Sequence, residues 1–376
     1  MDIATLLHWL QQAATERPAA QCIIRFRSGS YYRRFLYRLS KAASASGLSD
    51  AYRPLPIIRG ICCRLPNDVE LGTASGPIWI EKDCKISVSP SLKKYASFEN
   101  GVQWGVKQIK APQAWSITTG HRIKIGVIDT GIDFGHPDLQ HSLLRGINLL
   151  NRSKLPHDDN GHGTHIAGTI AAVGGIHGMT GVAPRSLIAP VKAFDRNGSA
   201  YVSDIILGID WCVRNGMNII NMSFGMKTRS KALLSAVNNA YNSGVIIIAS
   251  SGNDGKLRSV DYPARYPQTI SVGATNRQRK VASFSNRGAY IDIYAPGDKI
   301  PSAWLRGQYN EMSGTSMATS HVSGAVALLL SLYPGLSPGE IKAIMKRSMQ
   351  PLKNSKTRRN VGELDISRML QAAKQR

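Results

Sequence analysis

The sequence predicts an α/β protein, a doubly wound and mostly parallel sheet with helices on both faces, preceded by a small α+β unit. Three observations carry that expectation. From Ser97 onward, short β-branched runs alternate with helical stretches, as in a chain of βαβ units. Ahead of Ser97 the pattern changes to a strand, a basic amphipathic helix and further strands. With 376 residues the chain exceeds one average domain, leaving room for the small unit beside a core of roughly 270 residues.

In chain order, IATLLHWLQQAA within residues 1–18 reads as an amphipathic helical extension. Residues 19–94 make the α+β unit, with QCIIRF, LPIIRGICCRL and PIWIEKDCKI as strands and YYRRFLYRLSKAA as helix. Its Pro, Ser, Gly and paired lysines make SPSLKKYASFENG the linker. Residues 95–376 carry the large sheet, whose strands are RIKIGVIDTGID, SLIAPVKAF, MNIINMSFG, GVIIIASSGN, TISVGA and YIDIYAPG. HGTHIAGTIAAV, VSDIILGIDWCVRNG and SKALLSAVNNAYNSG lie between them as helices. Sites on such sheets gather beyond the carboxyl ends of the strands, which says where to look for chemistry.

Lysine and arginine outnumber acids 47 to 24, a formal charge of +23 spread along the whole chain. Such a field attracts polyanions such as nucleic acid, acidic envelope polymers or anionic lipid, and equally serves as a solubilising surface. No nucleic-acid module accompanies it. The five cysteines, Cys22, Cys62, Cys63, Cys84 and Cys212, are odd in number and lack metal-ligand spacing. They read as buried, unpaired thiols rather than staples or a zinc site. The N-terminus lacks the basic stretch and long apolar run of a secretory signal, and no run of about 18 apolar residues follows. The expectation is a soluble, cytoplasmic protein, with spore or envelope association as the alternative.

Three local motifs bear chemistry. In IGVIDTGID, Asp129 ends an apolar strand before Thr130 and Gly131, where an Asp is either a turn former or a partly buried functional carboxylate. In DDNGHGTHIAGT, Gly161 and Gly163 flank His162 at the opening of a helix and allow close backbone approach to its ring. His165 follows at i+3 without the intervening Glu of a zinc peptidase helix, which argues against paired metal ligands. In MSGTSMATSHVSGAVALLL, Ser316 stands just ahead of a long apolar helix, either as its cap or as a nucleophile near free backbone N–H groups.

Together these motifs supply an acid, a base and a nucleophile in the order Asp, His, Ser, and at this point the chain resembles the subtilisin family of serine peptidases. The resemblance runs from about Gly101 to Ala373 through VIDTGID, HPDL, NGHGTH, GVAP, NMSFG, SGN, YPARYP, VASFSNRG, YAPG and GTSMA. It implies a subtilisin-like fold and a serine endopeptidase in which Ser316 is nucleophile, His162 its base and Asp129 the residue orienting that base. Asn253 matches the family's side-chain oxyanion donor, and the Ser316 N–H completes the hole. Ser223, Phe224 and Gly225 match one wall of the substrate path, and Ser251, Gly252 and Asp254 the other. Asp261, just before YPARYP, matches the base of the primary pocket. Two acids there imply a preference for Lys or Arg before the cleaved bond, unless Asp261 faces solvent or pairs with Arg258 or Arg265.

The α+β unit is similar to the inhibitory propeptides of the family, which implies a self-processed zymogen inhibited by its own N-terminal domain and cut in the linker, where Lys93–Lys94 suits an acidic pocket. Two departures stand out. Ser320 replaces a proline in the first turns of the nucleophile's helix. Gly174 and Gly175 fall where relatives offer an asparagine to calcium, so Asp138 remains as a possible ligand for an ion that needs six or more oxygens. The chemistry itself requires no cofactor, and polypeptides are the expected substrates. The rival reading is a catalytically idle subtilisin-like protein that regulates a partner or binds polyanions.

Overall fold

The computed structural model describes residues 3–14, 19–69, 71–72, 78–88, 101–174, 178–352 and 361–375. Most of the expected linker, with Lys93–Lys94, and Gly175 lie outside the described residues. The chain opens with α1 (Ile3–Ala14), β1 (Ala19–Phe26), α2 (Gly29–Ala45), β2 (Tyr52–Leu55), β3 (Gly60–Pro66), β4 (Ile78–Lys82) and β5 (Lys85–Ser87). It continues with α3 (Trp104–Gln108), α4 (Ala111–Ala114), β6 (Lys124–Asp129), β7 (Ile147–Asn148), α5 (His162–Ala171), β8 (Leu187–Lys192), β9 (Ser199–Tyr201) and α6 (Val202–Arg214). Next come β10 (Ile219–Met222), α7 (Lys231–Asn242), β11 (Ile246–Ser250), β12 (Thr269–Thr275), β13 (Ile293–Pro296), β14 (Ile300–Ala303) and β15 (Tyr309–Met312). The last elements are α8 (Thr315–Leu332), α9 (Pro338–Ser348), β16 (Gln350–Pro351), β17 (Gly362–Glu363) and α10 (Ile366–Lys374).

Strands β1 to β4 form an antiparallel sheet ordered β2-β3-β1-β4. Strand alternation gives it two apolar faces. Leu6, Leu10, Phe26, Phe35 and Leu39 close one face with the unit's own helices. Ile23, Leu55, Ile58 and Cys62 on the other join a cluster that includes Val202, Ile206 and Leu233 of α6 and α7. The small sheet is therefore a layer between two pairs of helices.

Two expected strands are broken. LPIIRGICCRL is interrupted by a 3-10 turn over Pro56–Ile58 and by Arg59, whose φ of 54° leaves the extended region. PIWIEKDCKI breaks at Asp83–Cys84, where the Asp83 side chain turns to accept the Ser203 N–H at 3.0 Å and the Gln21 amide at 2.7 Å. Its second half, β5, leaves the small sheet and pairs with β9. All five thiols are unpaired, and Cys84, at this break, is partly exposed where burial was expected.

The large sheet runs β16-β17-β13-β12-β11-β10-β6-β8-β7, parallel except at β16. From β6 the chain crosses to β8 on one side and then to β10 on the other, so the strand order reverses beside β6. Ligand crevices open at such reversals. Ile125 and Val127 of β6 face α5 and α8, while Ile128 faces the α6–α7 layer. Helix α8 has no solvent-facing polar stripe because it is buried on all sides from Thr315 to Leu330, and the Thr, Ser and His side chains of its first half bond within the fold. By length and mean hydropathy alone its 18 residues could cross a membrane, but they are not a continuous apolar run and 89% of them are buried inside the fold.

Candidate active site

Asp129 is the last residue of β6 and is fully buried, with Oδ1 accepting the Thr130 N–H at 2.8 Å. His162 opens α5. The turn before it is set by Asp158, which accepts the N–H groups of Asn160 and Gly161, each at 2.9 Å, and by Gly161 at φ 109°, a conformation that glycine allows. That placement brings His162 Nδ1–H to 2.7 and 2.9 Å from the two Asp129 oxygens. The strand-end Asp is therefore more than a turn former. Thr130 Oγ1 accepts the Gly163 N–H at 3.0 Å, so strand end and helix start are tied directly. Lys192, at the end of β8, holds the Thr130 carbonyl at 2.6 Å. His165 is buried and turned to the Ile300 carbonyl at 2.9 Å. No cluster suited to a metal occurs among the described residues.

Ser316 is the second residue of α8, whose cap position is taken by Gly314, so the cap reading does not apply to it. Its hydroxyl donates to the Ser223 carbonyl at 2.8 Å, while His162 Nε2 is buried with no hydrogen-bond partner. Serine and imidazole thus meet only after the Ser316 side chain rotates. Asn253 follows β11, and its Oδ1 accepts both the Thr315 N–H and the Thr315 hydroxyl at 2.9 Å, which fixes the plane of its carboxamide. Ser320 donates back to the Ser316 carbonyl at 3.1 Å, an i to i−4 bond that proline's ring has no hydroxyl to make.

Beside Ser316 lies a cavity of about 200 Å³ between Phe224–Gly225 and Gly252–Asn253, with Asp254 and Asp261 also lining it. Ser223 and Ser251 are fully buried behind these walls rather than lining them. Asp261 neither faces solvent nor pairs with Arg258 or Arg265. Its partner is Lys227, whose Nζ donates to Asp261 Oδ1 at 2.6 Å and also to Asp254. Arg265 instead lies over the rings of Tyr262 and Tyr290. Burial pushes the Asp261 carboxyl up and Lys227 pulls it back, whereas the more open Asp254 is held below its usual range by its bond to Lys227. For Lys227 burial lowers the pKa, yet the two carboxylates outweigh it and the net direction is upward. Sequence reasoning missed Lys227. Its only signal was a position two residues beyond Gly225 in the wall segment.

The small unit reaches this cavity too. Ser87 pairs with Ser199 on one side and with Gly225 on the other, and the Val88 N–H donates to the Gly198 carbonyl at 2.9 Å. Ser87 and Val88 both line the cavity. An extended segment of the chain thus lies as an added strand between β9 and the Gly225 wall.

Among the described residues, the surroundings of Asp138 do not fit calcium. Oδ2 accepts the Met179 N–H at 2.8 Å and the Tyr309 hydroxyl at 2.7 Å, so the neighbours are donors rather than further oxygen ligands. A Cβ on Gly178 would collide with the other oxygen, Oδ1, leaving no room for a larger side chain there.

The profile described as the Subtilase family matches residues 120–363. Over 263 residues the chain is 43% identical to "Subtilisin E" of Bacillus subtilis (strain 168), covering 69% of this chain and 68% of that protein. It is 45% identical over 246 residues to "Subtilisin" of Bacillus pumilus, covering 64% and 89% respectively. It is 40% identical over 264 residues to the "Thermostable alkaline protease" of Halalkalibacterium halodurans, covering 70% and 69%.

Proposed function

Because the chain belongs to the subtilase family and is a subtilisin-like serine endopeptidase, we propose that Ser316, His162 and Asp129 are its catalytic triad and Asn253 its oxyanion donor. The observation that supports this most is the buried 2.7 Å bond from His162 Nδ1–H to Asp129, which leaves Nε2 as the basic end of the ring. Ser316 Oγ bonds to the scissile carbonyl carbon as its proton passes to Nε2. The C–N bond then breaks as His162 returns that proton to the leaving amine, and water releases the acyl group by the same route. Asn253 and the Ser316 N–H receive the charge that develops on the carbonyl oxygen. Labelling by a serine-directed phosphonate, lost in Ser316→Ala, tests this reading. No labelling of the processed wild type would favour the idle regulatory protein.

The N-terminal unit is then a propeptide that the enzyme removes from itself. Strand β5 and Val88, held between β9 and the Gly225 wall and lining the cavity beside Ser316, support a cut among the few residues after Val88, nearer than Lys93–Lys94. N-terminal sequencing of wild type and Ser316→Ala decides it, since a full-length product from both would rule out self-cleavage. Asp254 and Asp261 favour Lys or Arg before the cleaved bond, and peptides varying that residue alone test the preference. The charge of +23 and the exposed Arg33, Arg34, Arg38 and Lys41 of α2 support polyanion contact, measured as salt-dependent retention on heparin.

A further inference from the structure

We propose that Lys227 sets the selectivity of this cavity as a resident cation. With the cavity empty it holds both carboxylates, and it yields Asp261 to the ammonium or guanidinium of an incoming Lys or Arg while keeping Asp254. The inference rests on the basic preference proposed above and names the residue that limits it.

The three side chains differ in how firmly they are held. Asp261 is fixed, with its side chain 9% exposed and its backbone N–H on the Ser251 carbonyl at 3.0 Å. It faces the cavity between two glycines on opposite walls. A Cβ on Gly225 would stand 3.0 Å from Asp261 Oδ2, and one on Gly252 would collide with the same oxygen. Lys227 is the mobile member, its side chain 57% exposed on a flexible four-carbon stem. Moving its ammonium by a few ångströms costs little, because water takes over the lost contact.

Charge counting gives the consequence. Two carboxylates and one ammonium leave a net charge of −1, which a second cation neutralises. An apolar side chain before the cleaved bond leaves the Lys227 pairs intact, so it escapes the penalty that a lone buried carboxylate imposes. Lys227 therefore keeps the wild-type preference for basic residues modest. Without it, Asp261 discriminates at full strength.

The test compares kcat/KM for peptides that carry Lys, Arg, Leu or Phe before the cleaved bond and are otherwise identical. The proteins are wild type, Lys227→Ala, Lys227→Arg and Asp261→Asn. Each ratio is taken on one preparation, so partial misfolding cancels. The expected Lys to Leu ratio exceeds one in wild type, rises about tenfold or more in Lys227→Ala, stays near wild type in Lys227→Arg, and falls to one or below in Asp261→Asn. A basic preference of equal size in wild type and Lys227→Ala overturns the role of Lys227 and leaves the acidic-pocket reading standing. No basic preference in either protein overturns both.

Discussion

Asn253 is positioned by its acceptor end. Thr315 holds Oδ1 through two bonds, so a donor that must be ready before charge develops is fixed in the resting enzyme. Asn253→Ala is expected to lower kcat by about 10²–10³ with little change in KM, a magnitude established in subtilisin rather than derived from this geometry. Steady-state kinetics check it, and a change confined to KM would place Asn253 in binding alone. Two other histidines affect stability. Burial depresses the pKa of His165 to about 3 and of His321 to about 4, against roughly 6.5 in an unfolded chain. The unfolded state then takes up protons first, so stability is complete above about pH 6.5 and declines as pH falls toward 4, by up to about 1.4 kcal/mol per pH unit for each ring. Denaturation of Ser316→Ala protein from pH 7 to 4 is expected to show that slope, shallower in His321→Gln. Equal slopes would mean that His321 contributes nothing. At this scale Asp129 at a strand end and His162 between two glycines at a helix start were legible in the sequence. Lys227 was not, because an ordinary exposed lysine acquires its role only by meeting carboxylates 27 and 34 positions away.

Strands β6, β8 and β10 to β13 of the large sheet were legible because each is a short run rich in branched residues and bounded by Gly, Asn, Asp or Pro, and the α8 helix by its apolar length, whereas the two-residue strands β7, β16 and β17 were not. The β14–β15 hairpin was not. IPSA and YNEM carry little β-branching, and the pairing of Ile300 with Met312 is imposed by packing against α5. Nor is the left-handed position that divides β2 from β3 a glycine or asparagine, since it is Arg59 itself. The hairpin holds Asp138, the residue that the resemblance left as a possible calcium ligand. Tyr309 on β15 donates to Asp138, which also receives Met179, so these two protein donors fasten the described part of the loop after α5. Tyr309→Phe is expected to lower stability by about 1–3 kcal/mol, the range for a bond to a carboxylate, while a chelator leaves the wild-type Tm unchanged. Melting curves with and without EDTA test both points. A Tm that falls with chelator would show a cation site elsewhere in the chain.

At the scale of the whole molecule, two carboxylates of the small unit serve two helices of the large one. Glu81 accepts the Ser230 hydroxyl and the N–H groups of Lys231, at 3.1 Å, and Ala232, at 3.2 Å, at the start of α7. Asp83 takes the Ser203 N–H at the start of α6, where Arg53 also pairs with Asp204 at 2.7 Å. Each carboxylate lies at the positive end of a helix dipole and satisfies donors that the helix leaves without an internal partner. These bonds hold the layer from which β5 runs on into the cleft, so under the self-processing proposed above they would set how long the cavity beside Ser316 stays covered after the cut. Removing the Glu81 carboxylate deletes three charge-assisted contacts and is expected to weaken that hold by about 2 kcal/mol, some thirtyfold in affinity. Peptidase activity measured from the moment of refolding should therefore appear with a shorter lag in Glu81→Ala than in wild type. Glu81→Gln, which keeps acceptor capacity without the charge, should fall between them. If all three proteins show the same lag, the grip of the small unit resides in the apolar contacts of Ile23, Leu55 and Ile58 with α6 and α7, and the two helix termini contribute only their geometry.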